Sequence, residues 1–498
     1  MKRTIVFIII LASLVFVIFF IGSEEDKALS VATPMDAYIV LDENGFTLGN
    51  KPFVPIVLNY KVSLQTDSNV VWPCPYLGYN KGGGPNYMSR DSSLLELKAD
   101  LELIRDLGFN CVRIVGIGEH SVDDKETGAL SINARYRNSH NVRVDFQNQD
   151  QYNNYLEAIA DLLGIASDCD LKVIFLTRLF HEVPSTEENL GRIASRFRND
   201  PTIFAYDFFN EPLYFDSLDH SKREVYDIVN EWQSVLKRNA SNHLSTIGLT
   251  GIRETFQWDP NIINVDFLSI HPYEYEPEQV RNEMYWYSRF IDKPWIIGET
   301  AIPADGDSVP YEDQREFAEK TLHQTFNCGG LGYSWWQYKD VEWYDFYANF
   351  MGVVSRDGLM YSRDSIPMNT TVKPVSAAFR DFAPEGGECL CLDNYYNYSQ
   401  GDVFELKGRL VDDDGDPIEG GVILAWNEWW VSSYHSVTRE DGTFLLKGTF
   451  PFYHWIISAT RYSVVRGDID PANASPNEKG IPQYDLGDIQ VERLSWID

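Results

Sequence analysis

Through the middle of the chain, short apolar segments alternate with segments of helical periodicity. Two periodic segments, residues 152–166 and 225–236, carry apolar side chains at the i, i+3, i+4, i+7 spacing of a helix with one buried face. Each leads into a short apolar run with the composition of a buried strand, at residues 172–176 and 244–249. The pattern therefore indicates a repeated helix–strand unit.

Eight such apolar runs precede residue 336, with helix-like segments in most of the gaps. They are residues 53–58, 111–115, 172–176, 203–208, 244–249, 265–270, 295–298 and 330–335. Strands separated by helices pair in parallel through right-handed crossovers, so the sequence predicts an α/β fold, an eight-stranded (β/α)8 TIM barrel over residues 36–382. A doubly wound sheet is the alternative, although no glycine-rich phosphate loop follows any run. In a barrel, the active site lies at the C-terminal ends of the strands.

The pattern changes after Pro384, where helical periodicity disappears. Short strand-like runs follow, separated by turn signals such as Asp414-Gly415 and Asp441-Gly442. We therefore expect a linker at residues 383–400 and a small all-β sandwich domain at residues 401–498.

The N-terminus has the features of an export segment. Lys2 and Arg3 precede residues 4–22, which carry no charge and are mostly apolar, and acidic residues follow. As a helix these residues would extend about 28 Å, which is enough to span a bilayer, so an uncleaved membrane anchor is one interpretation. Small residues at 28–32 also permit cleavage of a signal peptide. Either way, we expect the remaining chain to be exported, as a secreted protein or one anchored at the outer face of a membrane.

Composition narrows the possible partners. Among 498 residues, 74 are acidic and 42 are basic, which gives a formal net charge of −32. This charge argues against a nucleic-acid partner, which requires a basic surface, and favours a neutral or cationic one.

The six cysteines are scattered, and we interpret them as buried thiols. Cys389 and Cys391 lack a second ligand pair for zinc, and the sequence indicates no metal or organic cofactor.

Two glutamates stand at predicted strand ends. Glu211 follows the fourth run within Asn-Glu-Pro, and Glu299 follows the seventh within Gly-Glu-Thr. Strands four and seven of an eight-stranded ring face each other, so these carboxyl groups can flank one glycosidic bond. One would protonate the leaving oxygen while the other attacks the anomeric carbon, which requires a separation of about 5–5.5 Å. The Asn210 amide could hydrogen-bond a sugar 2-hydroxyl.

Other strand ends supply further polar and aromatic groups. Arg113, in the second run, could hold Glu299 ionised by charge pairing. His271 and Tyr273 follow the sixth run and could orient the carboxyl groups and a bound sugar. Trp336 follows the eighth run and offers a flat face on which a pyranose ring could stack. Each residue alone has an ordinary structural explanation, but their combination at strand ends favours a catalytic site.

These motifs resemble glycoside hydrolase clan A, most closely its cellulase-type family 5, over roughly residues 36–382. The resemblance implies a retaining glycosidase, with Glu211 as acid/base and Glu299 as nucleophile. It also implies a substrate-binding set, which comprises Arg113, Asn210, His271, Tyr273 and Trp336. Many family members have a histidine just after the third strand, whereas this chain has Thr177 and Arg178 there. This difference favours a mannanase-like relative that acts on a β-mannan or β-glucan type of oligo- or polysaccharide.

Two expectations concern the rest of the molecule. The tail resembles the carboxypeptidase regulatory-like, transthyretin-like sandwich domains, which are usually non-catalytic. Its tryptophans Trp426, Trp429 and Trp430 could form a carbohydrate-binding platform, but we expect them to pack against the barrel, because large aromatic side chains are usually buried. The alternative function is a non-catalytic, cell-surface glycan-binding protein built on a glycosidase-like barrel.

Overall fold

The computed structural model describes residues 35–67, 70–80, 88–136, 140–216, 218–273, 277–343, 345–380, 382, 391, 401–429 and 433–497. The predicted export segment and Trp430 lie outside these residues, as does the predicted linker except for Cys391. In the described ranges, every helix is too short or too polar to cross a bilayer.

Eight parallel strands form a closed barrel, as the sequence predicts. They are β1 (Ile56–Asp67), β2 (Cys111–Val115), β3 (Lys172–Leu176), β4 (Ile203–Asn210), β5 (Leu244–Leu249), β6 (Leu268–Ile270), β7 (Trp295–Ile297) and β8 (Tyr333–Trp335). Tyr333 of β8 pairs with Ile56 of β1, which closes the ring. Closure distinguishes this barrel from the doubly wound alternative, whose sheet stays open.

Six long helices connect the strands. They are α1 (Arg90–Asp106), α2 (Gln149–Asp168), α3 (Pro184–Arg196), α4 (Lys222–Asn239), α5 (Pro277–Phe290) and α6 (Tyr311–Asn327). The start of α4 is fixed by a capping box, in which Ser221 and Glu224 each bond the other's backbone N–H. Between β5 and β6, a segment described throughout, the chain forms the 3-10 turn Ile252–Phe256 instead of an α-helix.

A small N-terminal sheet covers the bottom of the barrel. Its strands are Ile39–Asp42, Gly45–Leu48 and Lys51–Pro52. Phe46 packs edge-on against Phe204 and Phe267, at centroid distances of 5.0 and 5.2 Å. Because this end is filled with apolar side chains, the polar groups of the barrel are gathered at the opposite end.

Two four-stranded sheets follow the barrel. One contains Phe404–Val411, Thr443–Gly448, Ser475–Pro476 and Pro482–Gln490, and the other contains Val422–Trp426, Tyr434–Val437, His454–Ser458 and Val465–Asp468. Leu406 and Leu446 of the first sheet share a buried core with Ile423 and Ile457 of the second. This arrangement agrees with the predicted β-sandwich, while its relation to the regulatory-like domains stays a prediction.

The sandwich packs on the barrel where the fifth helix is replaced by a turn. Its second sheet contacts Ile252–Phe256, and its residues Val422, Leu424 and Val437 belong to the buried core of the barrel. Trp286 of α5 donates a hydrogen bond to the Gly420 carbonyl at 2.9 Å. The sandwich therefore contributes side chains to the hydrophobic core of the barrel.

The tryptophans of the tail contribute unequally to this interface. Trp426 is partly buried against the core that contains the barrel residues, as predicted, whereas 68% of Trp429 is exposed, so the prediction is wrong for Trp429. Trp496 also packs against this core and lies edge-on to Tyr226 of α4, at a centroid distance of 5.3 Å. The aliphatic face of the second sheet contributes the further contacts described above.

Cys328 and Cys391 form a disulfide, so the interpretation of all six cysteines as thiols is wrong for this pair. Cys328 follows the end of α6 and Cys391 lies 63 residues later. The two cysteines meet because the chain returns past α6. The spacing of cysteines along the sequence does not reveal such a return. Cys74, Cys111 and Cys169 are buried thiols, as expected.

Candidate active site

The backbone at the end of β4 turns sharply at Glu211. This residue has φ of 52°, in the left-handed region, which costs free energy for residues other than glycine. The short helix Pro212–Phe215 begins directly after it. Its N–H donates to the Gly248 carbonyl of β5 at 2.8 Å. The turn is thereby fixed to the neighbouring strand, and Glu211 lines the cleft at the barrel mouth.

Glu299 follows β7 and is almost completely buried. Arg113 donates from Nη1 to Glu299 Oε1 at 2.5 Å, and the Tyr273 hydroxyl donates to Oε2 at 3.1 Å. Burial raises the pKa of Tyr273 well above its ordinary value, so its hydroxyl stays protonated as a donor. Each oxygen of Glu299 therefore has a donor from the protein.

Arg113 is the centre of a buried network. Besides Glu299, its guanidinium donates to Asp207 Oδ2 at 2.8 Å, Asn59 Oδ1 at 3.0 Å and Asn210 Oδ1 at 2.8 Å. Burial lowers the pKa of Arg113, but the carboxylates of Asp207 and Glu299 outweigh that effect and hold it above its ordinary value. A permanently charged guanidinium thus holds a catalytic candidate, Glu299, and a substrate-binding candidate, Asn210, in fixed relative positions.

Asn59 and Asp207 were missed by the sequence analysis. Asn59 donates from Nδ2 to the Gly298 carbonyl and to Ser334 Oγ, at 3.0 and 2.9 Å, which ties β1 to β7 and β8. Asp207 also accepts from the Gly248 N–H at 3.2 Å. The sequence offers one signal for such residues. A polar side chain inside an otherwise apolar strand is expected to be buried, and a buried polar group requires a partner.

His271 lies between the two glutamates. Its Nδ1 is 3.0 Å from Glu211 Oε1 and 3.7 Å from Glu299 Oε1. Burial lowers the pKa of His271 to about 4, so the ring is neutral near pH 7, and its tautomer decides whether Nδ1 donates to Glu211 or accepts from the protonated carboxyl group. The ring fits between Gly248 and Gly298, where an added Cβ would come within 2.6 and 2.7 Å of its atoms.

The two carboxyl groups are close together. One oxygen of Glu211 and one of Glu299 lie within 4.8 Å of each other and of a His271 nitrogen. An inverting glycosidase requires about 6.5–9.5 Å to hold a water between its carboxyl groups. The same spacing would suit a cation, but Arg113 already supplies the positive partner of Glu299. We therefore interpret the cluster as an acid/base pair.

The surroundings give the two glutamates different protonation states. Burial raises the pKa of Glu211 to about 7, against the opposing effects of Arg113 and Arg253. Burial also raises the pKa of Glu299, and His271 and Arg113 oppose it. Glu299 accepts hydrogen bonds from a guanidinium and a hydroxyl, whereas the hydrogen-bond partner of Glu211 is a neutral imidazole. Hydrogen bonds to a charged form favour it, so the proton of the pair belongs on Glu211.

The cleft above these groups has a volume of about 1400 Å3. Glu211, Glu299, Asn210, Tyr273 and Trp336 line it, while His271 and Arg113 lie behind this lining. The neighbouring Trp335 is completely buried, so Trp336 is the member of the pair that faces the cleft. All seven predicted site residues thus meet at one end of the barrel.

Comparisons with known proteins give short or distant matches. No protein-family model matches the chain. It is 31% identical over 97 residues to mannan endo-1,4-beta-mannosidase 5 of Arabidopsis thaliana and likewise to mannan endo-1,4-beta-mannosidase 2 of that organism. Each match covers 16% of this chain and 22% of the relative, so the chain spans about a fifth of the length of the curated relatives it matches.

Solved structures with a similar architecture cover more of the chain. GH5_18 from Streptomyces cattleya in complex with GlcNAc is 15% identical, with a TM-score of 0.47 over 73% of this chain and 85% of its own. A glycoside hydrolase family 5 mannosidase from Rhizomucor miehei is 13% identical, with a TM-score of 0.47 over 70% of this chain and 97% of its own.

Proposed function

We propose that this protein is a retaining glycosidase that cleaves β-linked glycans of the mannan or glucan type. The supporting observation is the carboxyl pair within 4.8 Å, whose members have different hydrogen-bond donors. This separation leaves no space for a water between the carboxyl groups, as a double displacement requires. The stretch similar to two mannan endo-1,4-beta-mannosidases supports a β-mannan or a related chain.

In the first step, Glu211 gives its proton to the leaving oxygen while Glu299 attacks the anomeric carbon. In the second step, Glu211 takes a proton from water, which attacks the same carbon and releases the sugar. Arg113 and Tyr273 hold Glu299 in position between the steps. Because Arg113 donates to Asn210 Oδ1, the Asn210 amide nitrogen is left to donate to a sugar hydroxyl.

The stereochemistry of the first product tests this mechanism. Proton NMR of a β-glycoside digest should show the β-anomer before mutarotation, and early appearance of the α-anomer would rule out double displacement. Glu299→Ala should abolish turnover. Glu211→Gln should slow aryl glycosides with poor leaving groups far more than activated ones, since a stable leaving anion needs no proton.

The same variants discriminate the non-catalytic alternative. If wild-type protein binds β-mannan or β-glucan oligosaccharides in calorimetry but releases no reducing ends from them, the protein is a glycan-binding protein. If it releases reducing ends and Glu299→Ala does not, the glycosidase assignment holds.

We also propose that the chain is exported, as a secreted or membrane-anchored protein. The disulfide between Cys328 and Cys391 supports this location, because disulfides persist mainly in oxidising compartments. Reporter fusions with and without residues 1–30 test it: export should depend on those residues.

A further inference from the structure

Lys61 is a positively charged residue of the cleft to which the proposed mechanism gives no role. It lies near the mouth end of the barrel portion of β1, two residues after Asn59, and lines the cleft that contains both glutamates. Its Nζ is 5.0 Å from the centre of the Tyr76 ring, 5.1 Å from that of Trp343 and 5.8 Å from that of Trp336.

These three rings form a cage that is held by its own contacts. Trp343 donates from Nε1 to the Tyr76 hydroxyl at 3.0 Å, and the Trp336 ring lies 6.3 Å from that of Trp343. Aromatic faces attract a cation, each by about 0.5–2 kcal/mol, but they do not accept all three N–H donors of an ammonium group.

Among the described residues, no carboxylate oxygen lies within 4 Å of Lys61 Nζ, which is the distance limit for an ion pair. Burial lowers the pKa of Lys61, and the more distant carboxylates of Glu119 and Glu299 oppose that effect. Lys61 is half-buried, and its ammonium faces the cleft without a hydrogen-bond acceptor among the described residues.

Arg178 is a second cation on the same side of the cleft. It follows β3, two strands from Lys61, and its guanidinium lies 5.0 Å from the centre of the Phe180 ring. It too has no carboxylate at ion-pair distance among the described residues. By contrast, Lys320 and Arg281 of the cleft wall are paired, with Glu316 at 2.8 Å and Glu278 at 3.0 Å.

We propose that Lys61 binds an acidic substituent of the sugar that stacks on Trp336, so that the substrate is an acidic β-glycan. This inference rests on the proposed function and narrows its substrate class. The shared chemistry is an anionic oxygen group, either the carboxylate of a uronic acid or a sulfate ester. A sugar hydroxyl can also accept a hydrogen bond from the ammonium, but only an anion compensates its positive charge as well.

The net charge of −32 does not prevent such binding. At physiological ionic strength, charges separated by more than about 8 Å are largely screened, so the cations inside the cleft dominate for a bound sugar. The overall charge would slow the approach of an acidic polymer at low salt without removing the preference inside the site.

The test compares neutral aryl β-glycosides with their uronic acid and 6-sulfated counterparts. Wild-type protein should have a higher kcat/KM for at least one acidic series, and the better series identifies the anion. Lys61→Gln should lower kcat/KM for that series at least about 10-fold more than for the neutral one, and Lys61→Arg should recover part of the loss. Lys98→Gln removes the same charge from α1, outside the cleft, where Lys98 pairs with Asp364 at 3.4 Å, and it should not alter the ratio.

Three outcomes separate this inference from the proposed function. Hydrolysis of neutral glycosides only would overturn the inference and leave the glycosidase intact. Equal losses on both series in Lys61→Gln would mean that Lys61 supports Glu299 electrostatically, which also overturns it. If no glycoside is hydrolysed, but Glu299→Gln protein binds acidic oligosaccharides in a Lys61-dependent way, the inference stands and the proposed function fails. Melting temperatures of all variants establish that they are folded.

Discussion

Glu211 and Glu299 have the same side chain, but the protein gives them different neighbours. Arg113 and Tyr273 donate to Glu299, whereas Glu211 has only the neutral His271. Two carboxyl groups this close do not readily ionise together, so they share one proton near neutral pH. The hydrogen-bond donors around each glutamate, rather than the glutamate side chains themselves, therefore determine which one acts as the acid and which as the nucleophile.

The pH dependence of activity should report this division. The pKa of Glu211 is raised to about 7, and its protonated form is the active one, so kcat/KM for substrates with poor leaving groups should fall as pH rises through that value. In Glu211→Gln, no proton is lost in this range, so kcat/KM for an activated aryl glycoside should not fall between about pH 6 and 8. A decline of the same shape in the variant would assign the titration to another group.

The position of His271 depends on two glycines that leave room for its ring. In Gly248→Ala, the new Cβ would lie 2.6 Å from the imidazole, so the ring must move away from Glu211. A displacement of about 1 Å at such a site lowers rates by roughly 100-fold, and we expect a loss of that order in kcat/KM.

Gly164→Ala is the matched control for this substitution. Gly164 lies on the exposed face of α2, and an added Cβ there has no neighbour among the described atoms within 4 Å. It should leave kcat/KM unchanged and raise the free energy of unfolding by about 0.5–1 kcal/mol, because alanine restricts the unfolded chain and favours the helix. Full activity in Gly248→Ala would show that His271 does not position Glu211.

At the scale of elements, periodicity predicted most of the barrel, because strand and helix patterns are local. The predicted helices at 152–166 and 225–236 correspond to α2 and α4, and β2, β3 and β5 have the predicted bounds. The run at 53–58 underestimates β1, whose polar second half continues beyond the barrel and pairs with Val70–Pro75. A run of apolar residues does not reveal this extension, in which polar residues alternate with the buried Val62 and Leu64.

The replaced fifth helix has a longer-range cause. The turn Ile252–Phe256 and the chain after it are covered by the sandwich, which removes the need for a helix there. Likewise, Asn59 and Asp207 belong to strands that look apolar in sequence, and their partners lie on other strands or directly after them. Strand ends with known motifs were therefore predictable, whereas polar groups that act through distant partners were not.

The buried ion pair between Lys222 and Asp259 should be critical for this junction. Lys222 begins α4, and its Nζ bonds Asp259 Oδ2 and Ser458 Oγ, each at 2.9 Å. Lys222→Met would leave the buried Asp259 without its cation, and removal of one partner of such a pair typically costs about 3–5 kcal/mol. Chemical denaturation should show a loss of this size.

An exposed ion pair provides the control for this prediction. Lys98 of α1 pairs with Asp364 at 3.4 Å, and 40% and 56% of the two side chains are exposed. Lys98→Gln should therefore change the free energy of unfolding by no more than about 0.5 kcal/mol. Similar effects of the two substitutions would mean that the buried pair at the junction contributes no more to stability than an exposed pair.

For the whole molecule, the barrel and the sandwich are joined by more than a linker. The disulfide at Cys328 holds the chain beyond the barrel at the end of α6, and the second sheet completes the core next to β5 and β6. Ser433, Tyr434 and His435 of the sandwich also line the cleft. The domain boundary predicted from composition therefore marks a change in the sequence pattern. The hydrophobic core and the cleft both include residues from each side of it.

A chain that ends after residue 394 tests what the sandwich contributes, since it retains the disulfide between Cys328 and Cys391. Removing the sandwich exposes the apolar surface covered by Val422, Leu424 and Val437. At about 25 cal/mol per Å2, a few hundred Å2 of lost burial amounts to several kcal/mol, so the melting temperature should fall by many degrees. Trp429→Ala in the full chain is the control, because this exposed side chain should not affect melting.

Activity of the shortened chain should separate chemistry from stability when it is measured below its own melting temperature. Every residue proposed to touch the reacting sugar lies at or before Trp336, so kcat on short soluble glycosides should be retained. Longer oligosaccharides that reach Tyr434 and His435 should show a raised KM, because those residues line the cleft and would be missing. A KM that rises with chain length only in the shortened protein would show that the sandwich extends the substrate site. A folded barrel without turnover on short glycosides would instead mean that the sandwich holds the catalytic groups in place, since the barrel core that positions β5 and β6 includes its side chains.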